Sequence, residues 1–385
     1  MQNLHRAARI AAISIGLGAT APIAAQIAVS ANDNKAVLEN GVVKVVPNPR
    51  PDTISVISLA TRPPVMIGEI EAPASVVGPP VSVAIAPDES IALVTSAMKI
   101  SPADPAKQVP DNRMSVIDLT TRPPKVLAVV EAGLGAAGVS INRAGNLALV
   151  ADRSAGTVSV FTIAGKTVAP AGKVDLGAPA SGPSHVAISA DGRTALVTRD
   201  NDHKISVLAI DGTNVTYTKR DINAGLRPYG LDICAPGNIA VVANIGVGQG
   251  DNDTISVIDL TLKPPRVIET VTVGQTPEGI KCSPDGAYVA VVVMNGSNKP
   301  ADSPFHNANG KVVLYQVNGK MLQKFAEAPI GNWSQGVAFG GGQLLVQNMV
   351  QREIQVFQIG TNGLFDTGHR IKVSGGPAGI RTAER

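Results

Sequence analysis

Three short stretches carry the side chains best suited to chemistry: LRPYG from Leu226, QTPEG from Gln275 and NWSQG from Asn332. Aligned on their closing glycine, they place Tyr229, Glu278 and Gln335 at one position, with Arg227 and Trp333 two residues upstream. A fourth copy, SGPSH, puts Ser184 at the first position and His185 where the others have glycine. A guanidinium beside a carboxylate can clamp an anionic or carbonyl-bearing ligand while the carboxylate moves a proton. Arg227, Tyr229, Glu278, Trp333, Gln335 and Arg199 are therefore candidate ligand-binding residues, and Glu278, Arg227 and His185 candidate catalytic ones. Familiar constellations are absent from the sequence: there is no GxSxG, no Cys–His arrangement, and no metal spacing among His185, His203, His306 and His369. GVGQGD at Gly246 leads into a strand, so no helix N-terminus is there to cradle a phosphate. DND at Asp200 and at Asp251 lacks the remaining ligands of a calcium loop and reads as a polar turn.

Residues so far apart act together only if a repeated architecture converges them. The eleven letters ISVISLATRPP, from Ile54, recur as MSVIDLTTRPP from Met114 and ISVIDLTLKPP from Ile255. Each copy sits in a longer unit of four apolar runs separated by turn residues, with a period of about forty to fifty-five residues, the range of β-propeller blades. The runs are nearly continuous in Val, Ile, Leu and Ala, as expected of sheets covered on both faces. Seven innermost strands are expected, near Val83, Val139, Val186, Leu231, Ile280, Val337 and Ile380. The seventh ends the chain, so its three partners must come from the N-terminus, with GVVKVV from Gly41, ISVISL from Ile54 and MIGEIEA from Met66 completing the last blade. The expected fold is an all-β, seven-bladed propeller of four-stranded antiparallel blades.

In such a ring all second-to-third-strand loops and all blade-to-blade crossings share one face. Three of those loops are long, after Ser96, Asn244 and Met294, and long irregular loops in a compact fold usually carry function. The candidate residues fall on the same face. The ends of the second strands add Asp152, Arg199, Asn244, Asn295 and Asn348 to that rim.

SPDG at a first hairpin, VVAN closing a second strand, ISVIDL as a third and TVTVG ending a fourth resemble the YVTN-repeat, lactonase-like propellers, a secreted seven-bladed group. The likeness runs from about residue 37 to the C-terminus and is strongest in the blade from Tyr229 to Gly274. It implies two functions. One is a binding module that takes a small molecule or a periplasmic protein at the long-loop face. The other is a hydrolase acting on a lactone or related small ester. It also implies that rim acids and amides can hold a divalent cation that polarises a carbonyl. Glu278, Asp152, Asn244 and Asn348 are the candidates for that one cofactor.

The N-terminus differs from the rest. MQNLHRAAR precedes an uncharged apolar run and then NDNK, the layout of a secretory leader, with cleavage expected after Ser30 or Ala31. Residues 1–31 would leave, 32–385 would form the propeller in the periplasm or outside the cell, and no membrane association would remain. The net charge of +3 falls to +1 once Arg6 and Arg9 go, and aromatics make up only 3% of the chain, so nucleic acid is a poor partner. A closed ring needs no second copy, and a monomer is expected. Cys234 and Cys282 hold equivalent places in consecutive blades. With stacked sheets about 10 Å apart, they are expected to remain two buried thiols.

Overall fold

The computed structural model describes residues 26–385, which form seven four-stranded antiparallel sheets and two additional two-stranded hairpins. Blade one begins with the inner strand Val83–Ile85, blade two with Ala136–Ile141, blade three with Pro183–Ile188, blade four with Pro228–Cys234, blade five with Pro277–Cys282 and blade six with Ser334–Gly340. The seventh is built from Gly376–Thr382, Ile27–Asp33, Thr53–Ser58 and Val65–Glu71, in that spatial order. Seven apolar clusters fill the seven gaps between neighbouring sheets. One joins Val356 and Ile371 of blade six to Ile57 and Ile380 of blade seven, and another joins Val29 and Val56 of blade seven to Val83 and Val94 of blade one. A blade buries its two faces only against its neighbours, so closing the circle removes the last two exposed apolar faces.

The thrice-written turn has a local cause. Asp118 accepts hydrogen bonds from the N–H and Oγ1 of Thr120 (2.9 and 2.7 Å), and Asp259 accepts the same pair from Thr261 (2.9 and 2.7 Å). A lysine from the next blade's outer turn then pairs with each carboxylate, Lys166 with Asp118 at 2.8 Å and Lys320 with Asp259 at 2.6 Å. The motif closes its own turn and ties adjacent blades together.

Two expectations need correction. The second strand of blade seven is Ile27–Asp33, wholly buried and paired on both edges, with Gly376–Thr382 and with Thr53–Ser58. The GVVKVV segment instead supplies Val42–Val45, which pairs with Ala36–Glu39 in a separate hairpin and leaves Val42 and Val43 more than half exposed. A cut after Ser30 or Ala31 would divide a doubly paired strand, so the propeller's boundary moves upstream to Ile27. The rest of the expected leader lies outside the described residues. Second, Cys234 and Cys282 form a disulfide, with their Cα atoms 5.2 Å apart. The 10 Å spacing holds where large side chains separate two sheets. At the axis the blades narrow like wedges, and glycines let the inner strands touch: a Cβ on Gly279 would sit 2.5 Å from the carbonyl oxygen of Gln335, and one on Gly138 2.7 Å from that of Ser184.

Candidate active site at the long-loop mouth

Two backbone devices aim the candidate side chains. The first is a bulge near the start of the inner strand in blades two to six, where the pairing register skips between Ala136 and Val139, Pro183 and His185, Pro228 and Leu231, Pro277 and Ile280, and Ser334 and Val337. A bulge frees a residue from the ladder and re-aims its side chain. Here it frees Ser184, Tyr229, Glu278 and Gln335. The second is a left-handed residue just before each of these strands. Blades two and three use Gly135 and Gly182, whereas blades four, five and six hold Arg227, Thr276 and Trp333 there, at φ of 56°, 53° and 48°. A side chain in that region costs on the order of 1 kcal/mol relative to glycine. Arg227 is kept there despite that cost.

These devices bring four consecutive blades to one cluster. Asp200, fully buried, accepts two hydrogen bonds from Arg153 (2.5 and 2.9 Å), one from Ser184 Oγ (2.5 Å) and one from Nη2 of Arg227 (2.9 Å). Arg153 also bonds Ser184 and lies over the Tyr229 ring, 5.8 Å from its centre. Burial alone would raise the Asp200 carboxyl, but the Arg153 hydrogen bonds and charge, with Ser184 and Arg227, hold it below the usual carboxylate range. Glu278 is the contrast. Burial pushes it up to about 8 and Asp200 adds to the rise, against the pull of Arg227 and Arg153. Its Oε2 is buried without a hydrogen-bond partner. Burial and Glu278 together push the Tyr229 phenol above its usual range, so it stays neutral. The mouth thus holds one acid whose ionised form is favoured by two guanidiniums and one acid raised to about 8 with an oxygen to spare. This is the separation of acid roles that proton-transfer chemistry needs.

The long loops wall this mouth by touching one another. Gln108, in the blade-one hairpin of Met98–Ile100 and Gln108–Pro110, bonds the carbonyl of Lys35 at 3.4 Å; Asn40 accepts the N–H of Ala301 at 3.2 Å; Lys299 reaches the carbonyl of Gly248. The wall therefore runs from blade one through blades seven and five to blade four. It is low over blades two and three, whose connections are the short turns around Arg153 and Asp200.

The remaining candidates sit elsewhere. Asp152 takes the Gly133 N–H (3.0 Å), Thr157 (2.7 Å) and Ser159 (2.8 Å), and burial pushes it up to about 6. Asn244 bonds Thr254 and Ser256, both at 3.0 Å; Asn348 takes the Gly331 N–H (3.0 Å) and Ser334 and donates to Gln355 (3.0 Å). Arg199 bonds Ser206 and pairs with Asp202. Asp152, Asn244 and Asn348 fasten their own blade to its incoming crossing, and the partners of Arg199 lie within its own blade. Among the described residues no group of three or more His, Cys, Asp or Glu is arranged to hold a metal ion. Asn295 lies past its strand and donates to the Asn309 carbonyl. Trp333 is packed with Ala36, Met294 and Met349 beneath the Ala36–Val45 hairpin, and Gln335 donates to its carbonyl at 3.1 Å. His185 accepts the Leu231 N–H on Nδ1 at 3.0 Å, so its proton is on Nε2; burial, then Arg381 and Lys281, keep it neutral. It bridges blades three and four inside the channel.

Of the candidates, the structure brings together Arg227, Tyr229 and Glu278. Arg153 and Asp200 join them unforeseen. The signal for both was one residue away: the second-strand ends Asp152 and Arg199 fasten the blade, and the next residue faces the mouth.

Residues 139–316 match the family model "Lactonase, 7-bladed beta-propeller". Over that stretch, somewhat less than half of the chain, the sequence resembles the lactonase-type propellers, and the described residues form a seven-bladed propeller. Solved structures with the same fold include a protein from Bacteroides uniformis assigned as a 6-phosphogluconolactonase, at TM-score 0.70 and 19% identity over 94% of this chain and 100% of that one. A periplasmic gluconolactonase of Pseudomonas aeruginosa aligns at TM-score 0.67 and 16% identity over 93% and 99%. A functionally unknown protein from Desulfotomaculum acetoxidans aligns at 0.65 and 17% over 93% and 99%. At these identities the likeness is one of fold. No curated protein matches the sequence. The matched stretch runs from the inner strand of blade two to the third strand of blade five, and so contains Arg153, Asp200, Arg227, Tyr229 and Glu278.

Proposed function

We propose that this lactonase-like propeller binds a small lactone at its long-loop mouth and hydrolyses it, with Glu278 as the proton-transfer residue. The observation that carries the reading is the Glu278 carboxyl: buried, titrating near 8, with one oxygen unpartnered, beside two arginines. Ionised Glu278 takes a proton from a water, and the resulting hydroxide adds to the lactone carbonyl carbon. Arg227, the outer guanidinium with about a third of its side chain exposed, gives one N–H to Asp200 and offers others to the developing oxyanion. The ring C–O bond then breaks, the departing oxygen takes the proton from Glu278, and a hydroxy acid leaves with Glu278 restored. Asp200 and Arg153 position Arg227 and Tyr229. The walled mouth also supports plain ligand capture, the step that hydrolysis shares with a binding module. The gluconolactonase neighbours make aldonolactones the first substrates to try. Reading the site as periplasmic agrees with the Cys234–Cys282 disulfide, a bond favoured in oxidising compartments.

The test is hydrolysis of glucono-1,5-lactone, followed by acid release, in the wild type and in Glu278→Gln. A loss of about 10²–10⁴-fold in kcat/KM is expected for removing a general base, with the circular dichroism spectrum unchanged. Activity within threefold of wild type would end the proposal.

A further inference from the structure

The opposite mouth, ringed by the tight hairpins, holds a cavity of about 390 Å³. Its walls are part apolar, from Ile233, Phe339, Tyr288 and Ile359, and part charged. The charged side centres on Lys281, which is nearly buried and pairs with Asp232 at 3.0 Å and with Glu384 at 2.5 Å. These two carboxylates differ in kind. Asp232 belongs to an inner strand and also accepts the Cys282 N–H at 2.8 Å, so it is fixed. Glu384 lies beyond the strand Gly376–Thr382, and its side chain is 45% exposed. Arg381 and Arg143 are the other cations acting on it. Arg381, 5% exposed, lines the adjoining narrow axial cavity, which shares Asp232, Ile233, Thr382 and Glu384 with this one, and its Nη2 is buried with no partner.

We infer that this far mouth is a binding site for an amphiphilic carboxylate, whose anionic head replaces Glu384 on Lys281, Arg143 and Arg381 and whose apolar body lies against Ile233, Phe339 and Ile359. A half-exposed carboxylate paired with Lys281 and attracted by Arg381 and Arg143 is a resident stand-in for such a head. Lifting it away leaves the cations Arg143, Lys281, Arg381 and Arg385 against the carboxylates Asp232 and Asp285, a net charge of +2 from those six groups. The unpartnered Nη2 gives an incoming anion a donor that Glu384 leaves unused. A cavity of this size with a mostly apolar wall and a few converging polar groups is suited to a small organic ligand. The disulfide from Cys234 to Cys282, the latter in the cavity wall, holds the inner strands of blades four and five together beside it.

The test uses the full chain and the fluorescent probe 8-anilinonaphthalene-1-sulfonate, with decanoate and decanol as competitors. Glu384→Gln is expected to tighten probe binding at least fivefold, Arg143→Ala to weaken it at least fivefold, and decanoate to displace the probe where decanol does not. Arg143 is exposed, so its replacement leaves the fold intact. Fluorescence of Trp333, the only tryptophan and at the other mouth, is expected to stay constant. Affinities unchanged by both substitutions, absence of probe binding in Glu384→Gln, or equal displacement by decanol would overturn the inference.

Discussion

The two mouths of one channel are built from the same seven inner strands, yet they treat charge in opposite ways. At the far mouth Lys281 sits between Asp232 and Glu384, and the inner strands are cross-linked beside it. At the long-loop mouth, Asp200 absorbs two arginines and Glu278 is left with an unpartnered oxygen and a raised pKa. The former arrangement pairs Lys281 on both sides while Arg381 keeps an unpartnered Nη2, whereas the latter leaves a buried carboxyl oxygen without a partner. An unsatisfied buried carboxyl costs stability, and its place beside two arginines at the walled mouth is what the proposed function rests on. The contrast also shows how a propeller divides labour: hairpin turns face one side, and long loops and crossings are free to vary on the other.

The contrast can be broken most severely by opening the ring. Deleting residues 376–385 removes the inner strand of blade seven and exposes the edge of Ile27–Asp33; aggregation or loss of the cooperative melting transition is expected by light scattering and calorimetry. A monomeric truncation with an unchanged Tm would refute the closure. Next in size is the cross-link. Replacing both Cys234 and Cys282 by Ala opens a loop spanning 48 residues and should cost about 2–4 kcal/mol, seen as a lower midpoint in guanidinium unfolding. Lactone hydrolysis at the opposite mouth should be spared where the variant is folded.

A smaller effect concerns pH. Glu278 titrates near 8 in the folded protein, well above the ordinary value of 4.5. The folded state therefore keeps a proton that the unfolded chain releases between those values. Stability from this group is complete below about pH 4.5 and drains away as pH rises to 8. Asp152, raised to about 6, acts in the same direction over a lower window, from 3.8 to 6. Glu278→Gln should flatten the decline of Tm between pH 6 and 8 and reduce it between 4.5 and 6, where Asp152 still contributes; an unaltered slope would show that Glu278 is ionised throughout. Smallest of all is Arg227→Gly. Glycine relieves the left-handed backbone, worth on the order of 1 kcal/mol, but forfeits the ion pair with Asp200, so Tm should move by no more than about 2 °C while KM for the lactone rises tenfold or more. A large drop in Tm would recast Arg227 as a structural residue.

Much of this fold was legible because a repeat constrains itself. The seven inner strands, their alignment and the mixed parentage of the last blade follow from counting apolar runs, and the same alignment put Tyr229 and Glu278 at one rim position. Legibility failed where the physics is not periodic. Ile27–Asp33 reads as part of an apolar leader because a strand buried on both faces is as hydrophobic as a signal segment, and only its pairing with Gly376–Thr382 tells them apart. The disulfide was missed because a sheet-to-sheet distance was applied at the axis, where glycines permit strand contact. Trp333 and Arg199 have the chemistry of ligand-binding residues but are consumed by packing and ion pairing. Arg153 and Asp200 escaped because the alignment stopped at the strand ends, one residue short of the mouth.

The central claim is that Glu278, as a buried carboxylate with a pKa near 8, performs the proton transfer at the long-loop mouth. The pH dependence of kcat/KM for lactone hydrolysis, corrected for the uncatalysed reaction, tests it directly. The rate should rise about tenfold per pH unit below 7 and level off above 8, with that ascending limb gone in Glu278→Gln. A profile flat from pH 5 to 9, or a limb that survives the substitution, would contradict it.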